Sequence, residues 1–275
     1  MERAVVDGAT LEYEVAGAGE PVVFIHGALI ADAFRPLAAE PSLAQHYRLI
    51  TYHRRGYVGS SRPSGPLGFA QQAADCRAML RRLGVARAHV VGHSFGGSVA
   101  LYLALDAPEV VHSLALLEPG LMVGTTAQSY REAQARSQKR YREAGATVAV
   151  DEFLQPRFGV GYRVWLDQAL PGAFAQAVAD AGTTFETDIG GLDWTFGEAE
   201  ARRITQPVLA VLGGESDALW PRFGETQQLL LAWLPQAEGF VLPGAAHGLQ
   251  MQNPQGLATA LANFYVRHPL PVVAD

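Results

Sequence analysis

The chain has 275 residues and lacks several features that mark other protein classes. Cys76 is the single cysteine, so no intrachain disulfide can form and cysteine usage sets no redox compartment. Lys139 is the single lysine. The other positive charges are arginines, scattered without a basic block under a net charge of −6. A nucleic-acid partner is therefore not expected. No apolar run reaches membrane-spanning length, which argues against a membrane partner. Residues 1–7 hold no apolar stretch of signal-peptide length, and the expected location is cytoplasmic. No His/Asp/Glu group has ligand spacing such as His-x-x-x-His, and the glycine-rich stretch 92–97 lacks a Gly-x-Gly start. Neither a metal nor a dinucleotide cofactor is expected. Repeats and low-complexity tracts are missing as well, and nothing in the sequence fixes an oligomeric state.

Apolar residues make up 49% of the chain and charged ones 17%, the balance of a globular protein with one large core or a core split by one insertion. The most informative segment is Gly92-His93-Ser94-Phe95-Gly96. An apolar run, 88–91, precedes it, and 97–105 is rich in good helix formers. A strand entering a helix through Gly-x-Ser-x-Gly makes a tight turn that strains the serine backbone and exposes its hydroxyl. The flanking glycines fit because a Cβ there would collide with the neighbouring strand or helix.

Residues 4–15 alternate around Asp7-Gly8, a hairpin signal. Short apolar strands are predicted at 21–25, 48–52, 112–117, 207–212 and 239–242. Helices are predicted over 70–83, 224–234 and 253–266 from apolar spacing. Strands without polar alternation are buried on both faces, and their alternation with helices gives a doubly wound α/β fold with a mostly parallel sheet of about eight strands. Between about 125 and 203 no strand pattern is found, only helical patterns cut by glycines. That stretch is too long for a loop and is expected to be a helical insertion. It would lie over the strand carboxyl ends, where open α/β sheets bind ligands.

The chain resembles the α/β-hydrolase family over nearly its whole length. The resemblance rests on His26-Gly27-Ala28, Arg54-Arg55-Gly56-Tyr57-Val58-Gly59-Ser60, Gly92-His93-Ser94-Phe95-Gly96-Gly97, the helical insertion, Gly213-Gly214-Glu215-Ser216-Asp217 and Gly244-Ala245-Ala246-His247. It is most similar to the esterase, haloperoxidase and C–C hydrolase branch. His53 stands where many relatives carry Asp, which bears on loop packing more than on chemistry. The resemblance implies a core of residues 1–120 and 204–275 and a cap of 121–203.

It also implies a chain order of nucleophile, acid and histidine. Ser94 is the expected nucleophile. His247, in a Gly/Ala loop after the last strand, is the expected base, while His268 is expected to be a solvated helix end. The acid is expected at Asp217, by family analogy, with Glu118 as the alternative that some members use. The backbone N–H groups of Ala28 and Phe95 are the expected oxyanion donors. His26 is expected to hold its loop through a side-chain hydrogen bond. Dehalogenases and epoxide hydrolases of this fold need a carboxylate where this chain has Ser94. The leading expectation is thus a serine hydrolase of a small-molecule ester or lactone, working through an acyl-enzyme. Trp165, Phe174, Phe185, Trp194 and Phe196 in the insertion suggest an apolar substrate. Hydrolysis of a C–C bond in a vinylogous diketone and a small-molecule receptor of the same fold are the alternatives. Trp220 and Arg222 do not lie where the C–C hydrolases carry their Trp and Arg.

Overall fold

A computed structural model describes residues 1–191 and 194–271. Among these residues eight strands form one sheet: β1 (Glu2–Val6), β2 (Ala9–Ala16), β3 (Glu20–Ile25), β4 (Tyr47–Tyr52), β5 (Ala88–His93), β6 (Val111–Leu117), β7 (Val208–Gly213) and β8 (Ala237–Leu242). Their order is β1-β2-β4-β3-β5-β6-β7-β8. The β1–β2 and β2–β4 pairs are antiparallel; the other pairs are parallel. This is the expected α/β architecture. The hairpin turns at Asp7-Gly8, where both residues have positive φ, 44° and 80°, as a two-residue loop between twisted strands requires.

Side-chain alternation along the central strands builds two apolar layers. Val23, Ile25 and Val90 face the helices Phe69–Arg82 and Phe95–Asp106. Val22, Phe24 and Val91 face the opposite side, where helix Pro254–Arg267 contributes Leu257, Leu261, Phe264 and Tyr265. Every residue of β5 is buried, so this strand tolerates apolar or internally paired residues alone. Register aligns the strand ends: Ile25 pairs with Gly92, His93 with Leu117, and Leu117 with Val211. The loops leaving β3, β5, β6 and β7 therefore converge at one edge.

Between β6 and β7 the described residues form helices and no strand: Ala127–Ala144, Ala146–Phe158, Tyr162–Ala169, Ala173–Ala179 and Glu198–Ala201, with a π-helical turn over Thr183–Asp188. Gly145 and Gly159 end helices at φ 83° and 89°, a conformation that costs glycine no Cβ clash. A third apolar cluster joins this helical stretch to the loop after β3. Leu29, Ile30 and Ala33 pack with Ala149, Val150, Phe153, Leu154 and Phe185. A buried polar network reinforces that junction. Arg54 pairs with Asp188 at 2.9 Å, and the Tyr57 hydroxyl donates to Asp188 at 2.6 Å.

Candidate active site

β5 delivers Ser94 to the turn before helix Phe95–Asp106 with φ 52° and ψ −119°. Such a conformation stores about 1–3 kcal/mol for a non-glycine residue. Three contacts hold it. The Ser94 N–H donates to Leu117 O (2.9 Å), and Ser94 O accepts from Gly97 N–H (3.0 Å) and Gly120 N–H (2.8 Å). The glycines are required by close approach. A Cβ on Gly92 would stand 2.5 Å from Gly96 O, and one on Gly96 would overlap the Ile25 carbonyl oxygen.

The structure brings His247 and Glu118 to Ser94. His247 Nε2 lies 3.0 Å from Ser94 Oγ, and His247 Nδ1 lies 2.5 Å from Glu118 Oε2. The second Glu118 oxygen accepts the Gly213 N–H at 2.7 Å. Glu118 is 2% exposed and His247 3%. The His247 loop is held from three sides. His93 Nε2–H donates to His247 O at 2.7 Å, the His247 N–H donates to Arg157 O at 3.3 Å, and Phe223 stacks on the imidazole at 4.3 Å. Burial pushes His93 down to about 3, so its ring is neutral and can donate from Nε2 alone.

Asp217, the expected acid, is not in this group. It is exposed, in the short helix Ser216–Leu219, and its Oδ1 accepts the Gly224 N–H at 2.7 Å in the first turn of helix Arg222–Trp233. The sheet order explains the difference. β6 is the immediate neighbour of β5, so Glu118, the residue that follows β6, lies beside the serine turn. Asp217 comes after a turn beyond β7 and is spent on a helix start. The Glu118 backbone, at φ 45°, aims its side chain along that edge.

The remaining expected residues fall as follows. Ala28 and Phe95 line the small cavity at Ser94. Among the described residues neither backbone N–H has an acceptor outside regular helix or strand bonding. His26 holds its loop, its Nδ1–H donating to Gly27 O (2.8 Å) and its Nε2 accepting the Arg54 N–H (2.9 Å). His53 bridges Glu12 and Asp32. His268 caps the last helix, half-buried against Phe264. No group of three or more metal-ligating side chains occurs among the described residues.

Two arginines at the site were not singled out as functional from the sequence. Arg157 and Arg222 line the cavity with Ser94, His247, Ala28 and Phe95, and they are 7% and 2% exposed. Their polar partners among the described residues are backbone carbonyls, Phe153 O for Arg157 and Leu121 O for Arg222. Arg222 Nε has none. Aromatic rings surround them: Arg157 lies 3.6 Å from the Phe153 ring centre and Arg222 3.7 Å from that of Tyr130, and both lie near Trp220. Such contacts return about 0.5–2 kcal/mol each. Burying an ion without a counter-ion costs several kcal/mol even after relaxation. The two cations are thus under-compensated. A sequence signal existed for Arg157, since it follows Phe153 by one helical turn on the face that buries Val150, Phe153, Leu154 and Phe158.

Burial pushes the Glu118 carboxyl up to about 7. Burial, then the positive charges of Arg157 and Arg222, hold His247 well below its ordinary value. Burial also brings Arg157 down to about 9. The cavity at Ser94 is small, about 20 Å³. Gln134 and Ile189 line both this cavity and a larger pocket of about 280 Å³. Trp194 and Phe196 line the larger pocket, and none of the five aromatic residues expected to shape the substrate site lines the smaller one.

Comparisons with known proteins identify the fold. The model of the alpha/beta hydrolase fold family matches residues 20–254. Fluoroacetate dehalogenase from Burkholderia sp is 36% identical over 125 residues, 43% of this chain and 41% of that protein. The chain spans less than two thirds of the length of the first curated relatives that it matches. A malate-bound thermophilic esterase from Thermogutta terrifontis superposes with a TM-score of 0.82 at 21% identity, covering 98% of this chain and 100% of that one. The enol-lactonase from Burkholderia xenovorans LB400 gives 0.77 at 21% identity, covering 96% and 100%. No helix among the described residues is long and apolar enough to cross a membrane. The structural likeness reflects the shared fold, and the match over residues 20–254 carries the conclusion: the chain belongs to the alpha/beta hydrolase fold family.

Proposed function

We propose that this chain is a serine hydrolase that cleaves an ester or lactone of a small molecule through an acyl-enzyme, with Ser94, His247 and Glu118 as its catalytic triad. The observation that carries this reading is the hydrogen-bonded series from Ser94 Oγ to His247 (3.0 Å) and from His247 to Glu118 (2.5 Å). His247 Nε2 takes the hydroxyl proton as Ser94 Oγ attacks the carbonyl carbon. Glu118 holds the Nδ1–H tautomer and stabilises the imidazolium. The N–H groups of Phe95 and Ala28 receive the oxyanion, and Phe95 opens a helix whose dipole favours negative charge there. His247 then protonates the leaving alkoxide, and water repeats the sequence to release the acid.

The esterase and lactonase activities named for the structural relatives accord with this chemistry. Ser94 in place of an elbow carboxylate argues against dehalogenation, despite the dehalogenase relative. Residues 121–203 act as a cap over a core of 1–120 and 204–275, and the small cavity at Ser94 implies that the cap must shift to admit substrate. A fluorophosphonate probe tests the proposal. It should label the intact protein once, and Ser94→Ala should abolish labelling. Labelling that persists in the variant would refute Ser94 as nucleophile.

A further inference from the structure

We propose that the ester or lactone carries a carboxylate, and that Arg157 and Arg222 hold it beside Ser94. The proposal rests on the serine-hydrolase reading and adds the charge of its substrate. Both guanidinium groups are more than nine-tenths buried, and both line the same cavity as the nucleophile and the oxyanion donors. Among the described residues neither has a carboxylate partner, and Arg222 Nε has no acceptor. Other buried charges are matched. Asp188, a carboxylate that lines the same cavity, is taken up by Arg54 at 2.9 Å, and Asp180, fully buried, takes Arg62 at 2.6 Å. The contrast locates the missing anion in the cavity.

Glu118 does not supply that anion. Its oxygens are engaged by His247 and by the Gly213 N–H. A planar guanidinium with free N–H groups matches a carboxylate in a bidentate way. Two such groups from different elements, helix Ala146–Phe158 and helix Arg222–Trp233, converge on one cavity. Glu118 and Glu225 act on Arg222 at a distance, but an apolar substrate would leave both cations without a hydrogen-bonded counter-ion. Trp220 lies 4.5 Å from the Arg157 guanidinium carbon and 5.4 Å from that of Arg222. With Phe153 and Tyr130 it stacks against the guanidinium groups and limits their motion.

The test compares kcat/KM for 4-nitrophenyl hydrogen glutarate with that for its neutral isostere, 4-nitrophenyl 5-methylhexanoate. A hydrogen bond between charged groups corresponds to roughly 10- to 100-fold, so the wild type should prefer the anionic ester by about 100-fold. Arg157→Met and Arg222→Met should each lower that ratio by about 10-fold or more, with part retained in Arg222→Lys. A wild-type ratio near or below one, with the neutral ester turned over, would overturn the carboxylate proposal and leave the hydrolase reading standing. If neither ester turns over, the hydrolase reading fails, and glutarate binding decides the anion site alone. Glutarate should raise the Tm of the wild type but not that of the Arg157→Met/Arg222→Met double variant, and glutaramide should raise neither. No glutarate effect on the wild type would overturn the proposal.

Discussion

Exchanging Glu118 for Gln is the sharpest test of the site, because its effect follows from two hydrogen bonds. Glu118 Oε1 accepts the Gly213 N–H and Oε2 faces His247 Nδ1. A Gln in the same position keeps its carbonyl oxygen on Gly213, since an amide nitrogen cannot accept that N–H. Its NH₂ then points at His247 Nδ1, which must become the acceptor. The imidazole proton moves to Nε2 and faces Ser94 Oγ, 3.0 Å away, so no lone pair is left to take the hydroxyl proton. Loss of tautomer and of imidazolium stabilisation should lower kcat by roughly 10²- to 10⁴-fold, or about 3–5 kcal/mol of transition-state stabilisation. In Asp217→Asn the side-chain oxygen still accepts the Gly224 N–H. Its kcat should stay within about 2-fold, and its stability within about 0.5 kcal/mol, as for an exposed surface substitution. Burst and steady-state kinetics on a neutral aryl ester would read both. If Asp217→Asn loses as much kcat as Glu118→Gln, the assignment of the acid is wrong.

The pH profile offers an independent check. With Glu118 pushed up to about 7 and His247 pulled down, the pair takes up its first proton near pH 7 as pH falls, and kcat/KM should decline below that. Both arginines depress His247, and Arg222 also depresses Glu118. Replacing either by Met should therefore move the acid limb to higher pH on a neutral ester; a shift toward lower pH would contradict the electrostatics. Because a buried unpaired cation is costly, Arg157→Met should match or exceed the wild type in Tm, whereas a purely structural arginine would lower it. Gly96→Ala should destabilise by about 3 kcal/mol or more, measured by urea unfolding, because its Cβ would overlap the Ile25 carbonyl.

Local rules made much of the molecule legible in the sequence. Strand and helix periods, the Asp7-Gly8 hairpin and the strand–serine–helix turn are set by residues near one another, so they can be read without the fold. His247 was legible because chain order and a glycine-alanine loop leave it few other places to be. The acid was not, because two carboxylates follow neighbouring strands and the sequence does not say which side chain turns inward. That depended on β6 lying next to β5 and on Asp217 satisfying a helix N–H instead. The arginines were hidden for a related reason. A cation on an apolar helix face becomes chemically meaningful when distant elements close around it, and Arg157 and Arg222 meet Ser94 at a cavity that only the packing of the helical stretch on the sheet edge creates. Sequence alone determined the elements and the strand–serine–helix turn, through short-range sterics and periodicity. Tertiary structure decided which carboxylate holds the histidine and which cations line the cavity, because burial and long-range contact determine both.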